Sequence, residues 1–137
     1  MSSFSAFETI KQYLLANWSA TPLFFENDRL NLPGVPAAFV YVEIVGNTYD
    51  QASIGGGEER ADNLWREWGQ LYLNVMVPSG TGSGPARQYC DQLLALVAGH
   101  EIGALTFRDA SVGTGEPGRT FANYYAMTAS ITWYRDE

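Results

Sequence analysis

Few residues of this 137-residue chain are suited to acid–base, nucleophilic or metal chemistry. Histidine, cysteine and lysine each occur once, as His100, Cys90 and Lys11. A nucleophile needs an adjacent base, and a structural zinc site needs several Cys or His ligands at short spacing. The sequence has neither pattern. It therefore predicts a protein that is not an enzyme, with no catalytic residues, no bound metal and no cofactor.

The polar residues give only a weak case for a binding pocket. Asp50, Glu43 and His100 are the nearest candidates, and no recognisable spacing connects them. A small-molecule-binding module is therefore the more distant alternative. Cys90 lies on the apolar stripe of a predicted helix, where a small buried side chain is the usual role of cysteine.

Composition and charge indicate a folded acidic domain. Fifteen acidic residues against eight basic ones give a net charge of −7. The seven arginines are scattered singly between Arg29 and Arg135, so we expect no tight binding of nucleic acid. The length fits one domain spanning residues 1–137. No apolar run approaches the roughly 20 residues that cross a bilayer, and no N-terminal signal pattern is present, so we expect synthesis in the cytosol.

The periodicity of apolar residues predicts the order α-β-β-α-β-β. Helical spacing begins near Ser5 and recurs after Ser83, whereas strand patterns occupy residues 38–45, 65–77, 105–108 and 121–134. Two such αββ units pack most simply as an α+β domain. We expect a four-stranded, mainly antiparallel sheet with both helices on one face.

Residues 46–63 predict one long mobile loop between the first two main strands. Three consecutive glycines at positions 55–57 are costly to order, and the acidic residues Glu58, Glu59 and Asp62 follow them. The glycines are not followed by the Lys and Ser or Thr of a phosphate-binding loop. We therefore expect residues 47–63 to be the most mobile internal region rather than a nucleotide site.

The second main strand has one face that could bind another protein. Trp68, Tyr72 and Met76 alternate along it. If the helices cover only the other face, these three side chains form an apolar patch that a soluble monomer rarely leaves exposed. The patch is a candidate interface, and partial cover by the long loop is an equally good explanation.

Three short segments of the sequence resemble a known group of proteins. They are TPLFFEN at residues 21–27, PAAFVYVE at residues 36–43 and PSGTG at residues 78–82, placed after an aromatic helix and before a second helix. In this arrangement the chain resembles the small tail-terminator, or minor tail, proteins of siphophages and prophages. The resemblance covers nearly the whole chain, but it contains no invariant active-site motif.

The resemblance implies a structural virion protein. Such a protein forms a hexameric ring on the tail tube, ends tube growth and joins the tail to the head connector. It would contact itself, the tail-tube protein and connector proteins, in the host cytoplasm during assembly and then in the virion tail. DNA would pass without tight binding, and an acidic lumen, with Glu58, Glu59 and Asp62 as candidate wall residues, would repel it. A head-tail connector component or a tail-tube subunit is the closest alternative.

Overall fold

The computed structural model describes residues 4–29, 36–51, 65–114 and 123–136, with the backbone alone for 47–51 and 114. Two helices and six strands follow one another along the chain. In order they are α1 (Phe4–Asn17), β1 (Leu23–Phe25), β2 (Phe39–Gln51), β3 (Trp65–Pro78), α2 (Gly84–Val97), β4 (Glu101–Ile102), β5 (Leu105–Thr114) and β6 (Tyr124–Asp136).

The strands form one mixed sheet in the order β1-β2-β3-β6-β5-β4, curled into a half-barrel. The short β1 pairs with β2 in parallel, and every other pairing is antiparallel. The prediction of a four-stranded sheet in the order α-β-β-α-β-β was therefore wrong. β1 has three residues and β4 has two, which is too short for an alternating pattern to be recognised in a sequence.

The predicted long loop is also shorter than expected. β2 continues through Gln51 into the polar sequence assigned to that loop, because Tyr49 and Asp50 pair with Glu67 and Arg66 of β3. β5 likewise continues to Thr114, beyond residue 108, where the alternating pattern predicted its end. Glu58, Glu59, Asp62 and the rest of the predicted loop lie outside the described residues.

The main core lies between the helices and one face of the sheet. Alternate residues of the long strands point towards it, as Leu71, Leu73 and Val75 do on β3. Ile10 and Leu14 of α1 join this core, and so do the buried residues of α2. A bond from the Tyr13 hydroxyl of α1 to the Leu96 carbonyl of α2, at 2.7 Å, connects the helices. Both helices therefore pack on the same side of the sheet.

The core also contains a charged pair and a closely fitted tryptophan. The Glu67 carboxylate is 1% exposed and lies 3.2 Å from Nη2 of Arg135 on the neighbouring strand β6. Gly69 of β3 lies directly opposite Trp133 of β6. A Cβ atom on Gly69 would overlap both the Trp133 indole and the backbone carbonyl oxygen of Val45 on β2, so the ring and the β2 backbone together occupy the space that any other residue would need.

Candidate interaction surface

The sheet face opposite the helices carries the candidate surface, and we call it the open face. On β3 it comprises Arg66, Trp68, Gln70, Tyr72, Asn74 and Met76, which alternate with the core residues of the same strand. Antiparallel pairing sets the even-numbered residues of β6, from Tyr124 to Asp136, beside them. The open face has three zones along the strands: an aromatic–arginine end, a polar middle and an apolar end.

The first zone, here called the aromatic–arginine cluster, consists of Arg66, Trp68, Tyr134 and Asp136. The Trp68 and Tyr134 rings are cross-strand partners with centroids 5.1 Å apart. The Arg66 guanidinium lies 4.3 Å from the Tyr134 ring centroid and 5.7 Å from that of Trp68. All four residues are half-buried. They therefore form an ordered group that still presents surface to solvent.

A bidentate ion pair fixes the arginine of this cluster. Arg66 Nε lies 2.6 Å from one carboxylate oxygen of Asp136, and Nη2 lies 2.9 Å from the other. The hydrogen bonds from Arg66 lower the pKa of Asp136 below its ordinary value, and those to Asp136 raise the pKa of Arg66. Both side chains are about one-third exposed, at 29% and 35%. Solvent screening therefore keeps this pair's contribution to folding small, and its main effect is to hold the guanidinium against the rings.

Hydrogen bonds between side chains fill the middle zone. The Asn74 amide donates to Glu43 Oε1 at 2.8 Å and to the Tyr41 carbonyl at 3.1 Å. Its oxygen accepts from the Thr128 hydroxyl at 2.7 Å. Asn74 therefore connects β2, β3 and β6 across the open face. The side chains of Asn74, Glu43 and Thr128 already have partners inside the molecule, which makes them poor contacts for a ligand.

The third zone is a small second core. Phe39, Met76, Tyr124 and Ala126 are buried together, with Phe24 packed against them. The Phe39 ring meets those of Phe24 and Tyr124 edge-on, with centroids 5.6 and 5.1 Å away. Met76 is only 8% exposed. This end of the open face is covered, and it offers little surface to a partner.

The predicted interface residues therefore occupy different environments. Trp68, Tyr72 and Met76 all lie on the open face, but Trp68 and Tyr72 are half-buried, whereas Met76 is buried in the second core. Arg66 and Tyr134, which are also half-buried beside Trp68, were not selected from the sequence. The sequence does place Arg66 two residues before Trp68 on one strand and Tyr134 two residues before Asp136 on another. Recognising that the two pairs are neighbours requires the register of β3 against β6.

Two of the polar residues considered for a pocket, Glu43 and His100, have different partners. Glu43 is engaged by Asn74 on the open face, whereas His100 lies at the end of α2 with Nε2 3.2 Å from the Ala95 carbonyl. Cys90 is fully buried in the main core, and desolvation, followed by the nearby Asp91 carboxylate, raises the pKa of its thiol to about 11. Within the described ranges, no group of three or more His, Cys, Asp or Glu residues could hold a metal ion. None of the helices described is long and apolar enough to cross a membrane.

Comparison with known proteins establishes the fold alone. No family model matches the chain, and no curated protein sequence matches it. A solved structure of a protein whose name indicates no function is similar at a TM-score of 0.59 and 21% sequence identity, over 97% of this chain and 92% of the other. Since that identity is low, the similarity shows a shared architecture and carries no activity from one protein to the other.

Proposed function

We propose that this protein is a structural subunit of a phage or prophage virion that caps the tail tube as a ring, ends tube growth and joins the tail to the head connector. The single observation that carries the proposal is the aromatic–arginine cluster on the open face. Trp, Tyr and Arg are the residue types that dominate the energetic centres of protein–protein interfaces. Here Arg66, Trp68 and Tyr134 meet on one half-buried patch that still presents surface to solvent.

The chemistry of the chain supports a binding role over a catalytic one. The proposed role needs neither a nucleophile nor a metal, and the net charge of −7 suits a ring through which DNA passes without adhering. The three sequence segments that resemble tail-terminator proteins are consistent with a role in tail assembly. Under the proposal, the open face meets the tube end or a neighbouring subunit.

The test is whether the protein stops tubes from growing. Purified tail-tube protein of the same phage or prophage, allowed to polymerise with and without this protein, should give tubes of limited length when it is present. Electron microscopy of the ends should show one ring on each capped tube. Tubes of unchanged length without end density would contradict the proposal. Tubes built from this protein itself would instead identify it as the tube subunit.

A further inference from the structure

Two edges of the sheet are open within the described part of the chain. β1 pairs only with Val40 to Val42 of β2. Just beyond this pairing, the Ile44 amide, which points away from β3, donates to the carboxylate of Glu26. On the other side of the sheet, β4 covers only Leu105 and Thr106 of β5. We call residues 48–51 the β2 edge and residues 110–114 the β5 edge. Each follows directly on a bulge and then pairs regularly with its inner neighbour.

The outward backbone groups of both edges can be assigned from the ladders. The Val40 amide donates away from β3, to the Pro22 carbonyl, and the Phe107 amide donates away from β6, to the His100 carbonyl. Antiparallel ladders alternate residue by residue. Because β2 and β5 each contain a bulge, the alternation is followed along their regular partners β3 and β6. It shows that the amides of Tyr49 and Gln51 on β2, and those of Ala110, Val112 and Thr114 on β5, point outward.

Among the described residues, neither edge has the usual protection against pairing. Soluble proteins guard open strand edges with lysine, proline, inward charges or cover from another element. The β5 edge has the sequence Ala-Ser-Val-Gly-Thr, with no charge and no proline, and Val112 is 39% exposed. The β2 edge reads Thr-Tyr-Asp-Gln, with a single charge. Both edges are therefore competent to accept another strand.

The directions of the two edges fit one another. β2, β3, β6 and β5 alternate in direction along the sheet, so β2 and β5 run antiparallel within one subunit. A neighbouring copy that keeps the same orientation therefore offers its β2 edge antiparallel to the β5 edge of the first. Two different patches that meet in this way make a heterologous contact, which is the kind that builds rings.

We propose that copies of this chain associate edge to edge, with the β2 edge of one subunit pairing antiparallel with the β5 edge of the next to make a continuous sheet. The inference rests on the proposed function in assuming self-association. It deepens that function by assigning subunit contacts to the sheet edges, which leaves the aromatic–arginine cluster for the tube end. A continuous sheet supplies main-chain hydrogen bonds at each contact, as in other cases of strand addition.

The two edges are offset along the strands, and this offset sets the geometry of the assembly. Tyr49 pairs with Glu67 of β3, and Glu67 pairs with Arg135 of β6. Val112 pairs with Ala129 of β6, which is six positions before Arg135. At about 3.3 Å per residue this is a displacement of roughly 20 Å. A closed ring must absorb it by tilting its strands against the ring axis, as strands tilt when a sheet closes on itself.

The test uses two variants that each block one edge. Tyr49→Pro and Val112→Pro each remove an outward amide that pairs with no strand in the described part of the chain, and proline is tolerated on edge strands. Each variant alone should lose all assembly above the monomer in sedimentation experiments. A one-to-one mixture should form a dimer, because one good β2 edge then meets one good β5 edge. The matched controls Tyr49→Phe and Val112→Thr keep the amide and should assemble as the wild type does.

Several results would overturn the inference. Assembly by either proline variant alone, a folded mixture that stays monomeric, or a wild-type protein that is monomeric at every concentration would each do so. If the proline variants unfold, amide exchange of the wild type decides: Gln51 and Ala110 should gain protection on assembly, and unchanged exchange would refute the pairing. Rings on capped tubes whose subunits show no protection at the two edges would remove only the edge contact, whereas edge pairing without capping would remove only the proposed function.

Discussion

Arg66 organises the exposed end of the sheet because its guanidinium has two kinds of partner at once. The carboxylate of Asp136 binds its edge, while the Tyr134 ring lies 4.3 Å from its centre. An arginine held in this way has lost rotamer freedom before any partner arrives, so less entropy is lost when an interface forms. The cluster is therefore suited to binding even though the ion pair adds little to folding.

The Arg66–Asp136 pair predicts a pH-dependent stability of known sign. The pKa of Asp136 is lowered in the folded protein, so the unfolded chain takes up the proton at a higher pH. The stabilisation is complete above the ordinary aspartate pKa of about 3.9 and is lost as the pH falls through the lower folded value. Asp136→Asn should therefore be slightly less stable than the wild type near neutrality, and the difference should vanish in acid.

Urea unfolding of both proteins across this pH range measures the difference directly. Asp109→Asn is a suitable control, because Asp109 is an exposed carboxylate on the bulge of β5. A gap between wild type and Asp136→Asn that stays constant into strong acid would show that the carboxylate is not the group responsible.

Cys90 should be chemically silent in the folded protein. Its thiol is fully buried and its pKa is raised to about 11, so at neutral pH the reactive thiolate is scarce and inaccessible. A disulfide reagent should label Cys90 only after unfolding in denaturant. Labelling of the native protein at the rate of a free thiol would show that the helix layer opens around α2.

The strands differ in how far the sequence predicts them. β3 and β6 were recognisable because long alternation separates Leu71 and Ile131 from the open-face residues beside them. β1 and β4 were missed because two or three residues define no period. β5 was ended too early, because Ala110 and Gly113 are poor strand formers and interrupt the pattern, whereas the pairing with β6 comes from tertiary context. The aromatic–arginine cluster depends on register, which no local pattern supplies.

The three-strand bridge at Asn74 predicts a loss of stability on one substitution. Asn74→Ala removes three partly buried side-chain hydrogen bonds, to Glu43, Tyr41 and Thr128. We expect a cost of about 1 to 3 kcal/mol in unfolding free energy. Gln70→Ala removes a single bond, to Thr132, on the same face and should cost less. Equal costs in denaturant melts would show that the bridge does not act as a unit.

Assembly of the whole molecule should depend on Trp68 more than its folding does. Trp68 is half-buried outside the main core, so Trp68→Glu should melt close to the wild type. At an interface the new charge would have to be desolvated, so capping of tail tubes should fail. Gln70→Glu adds a charge to the same face in the polar middle and serves as the control. Intact capping by Trp68→Glu would remove the cluster from the interface, and global unfolding would place it in the core.

Thermal stability of the whole molecule should not depend on metal. The sequence offers no zinc spacing, and the core is built from apolar packing between helices and sheet. Addition of EDTA should leave the melting temperature unchanged. A fall that zinc reverses would show a metal site and would reopen the choice between a structural and a catalytic protein.

The fit of Trp133 against Gly69 has a consequence for how this chain can vary. A single added carbon at position 69 would overlap both the indole of Trp133 and the backbone carbonyl oxygen of Val45. A smaller residue at position 133 would remove only the first of these overlaps, because the second is with the backbone of β2. In a library of random variants selected for folding, we therefore expect glycine alone to survive at position 69, whichever residue stands at position 133.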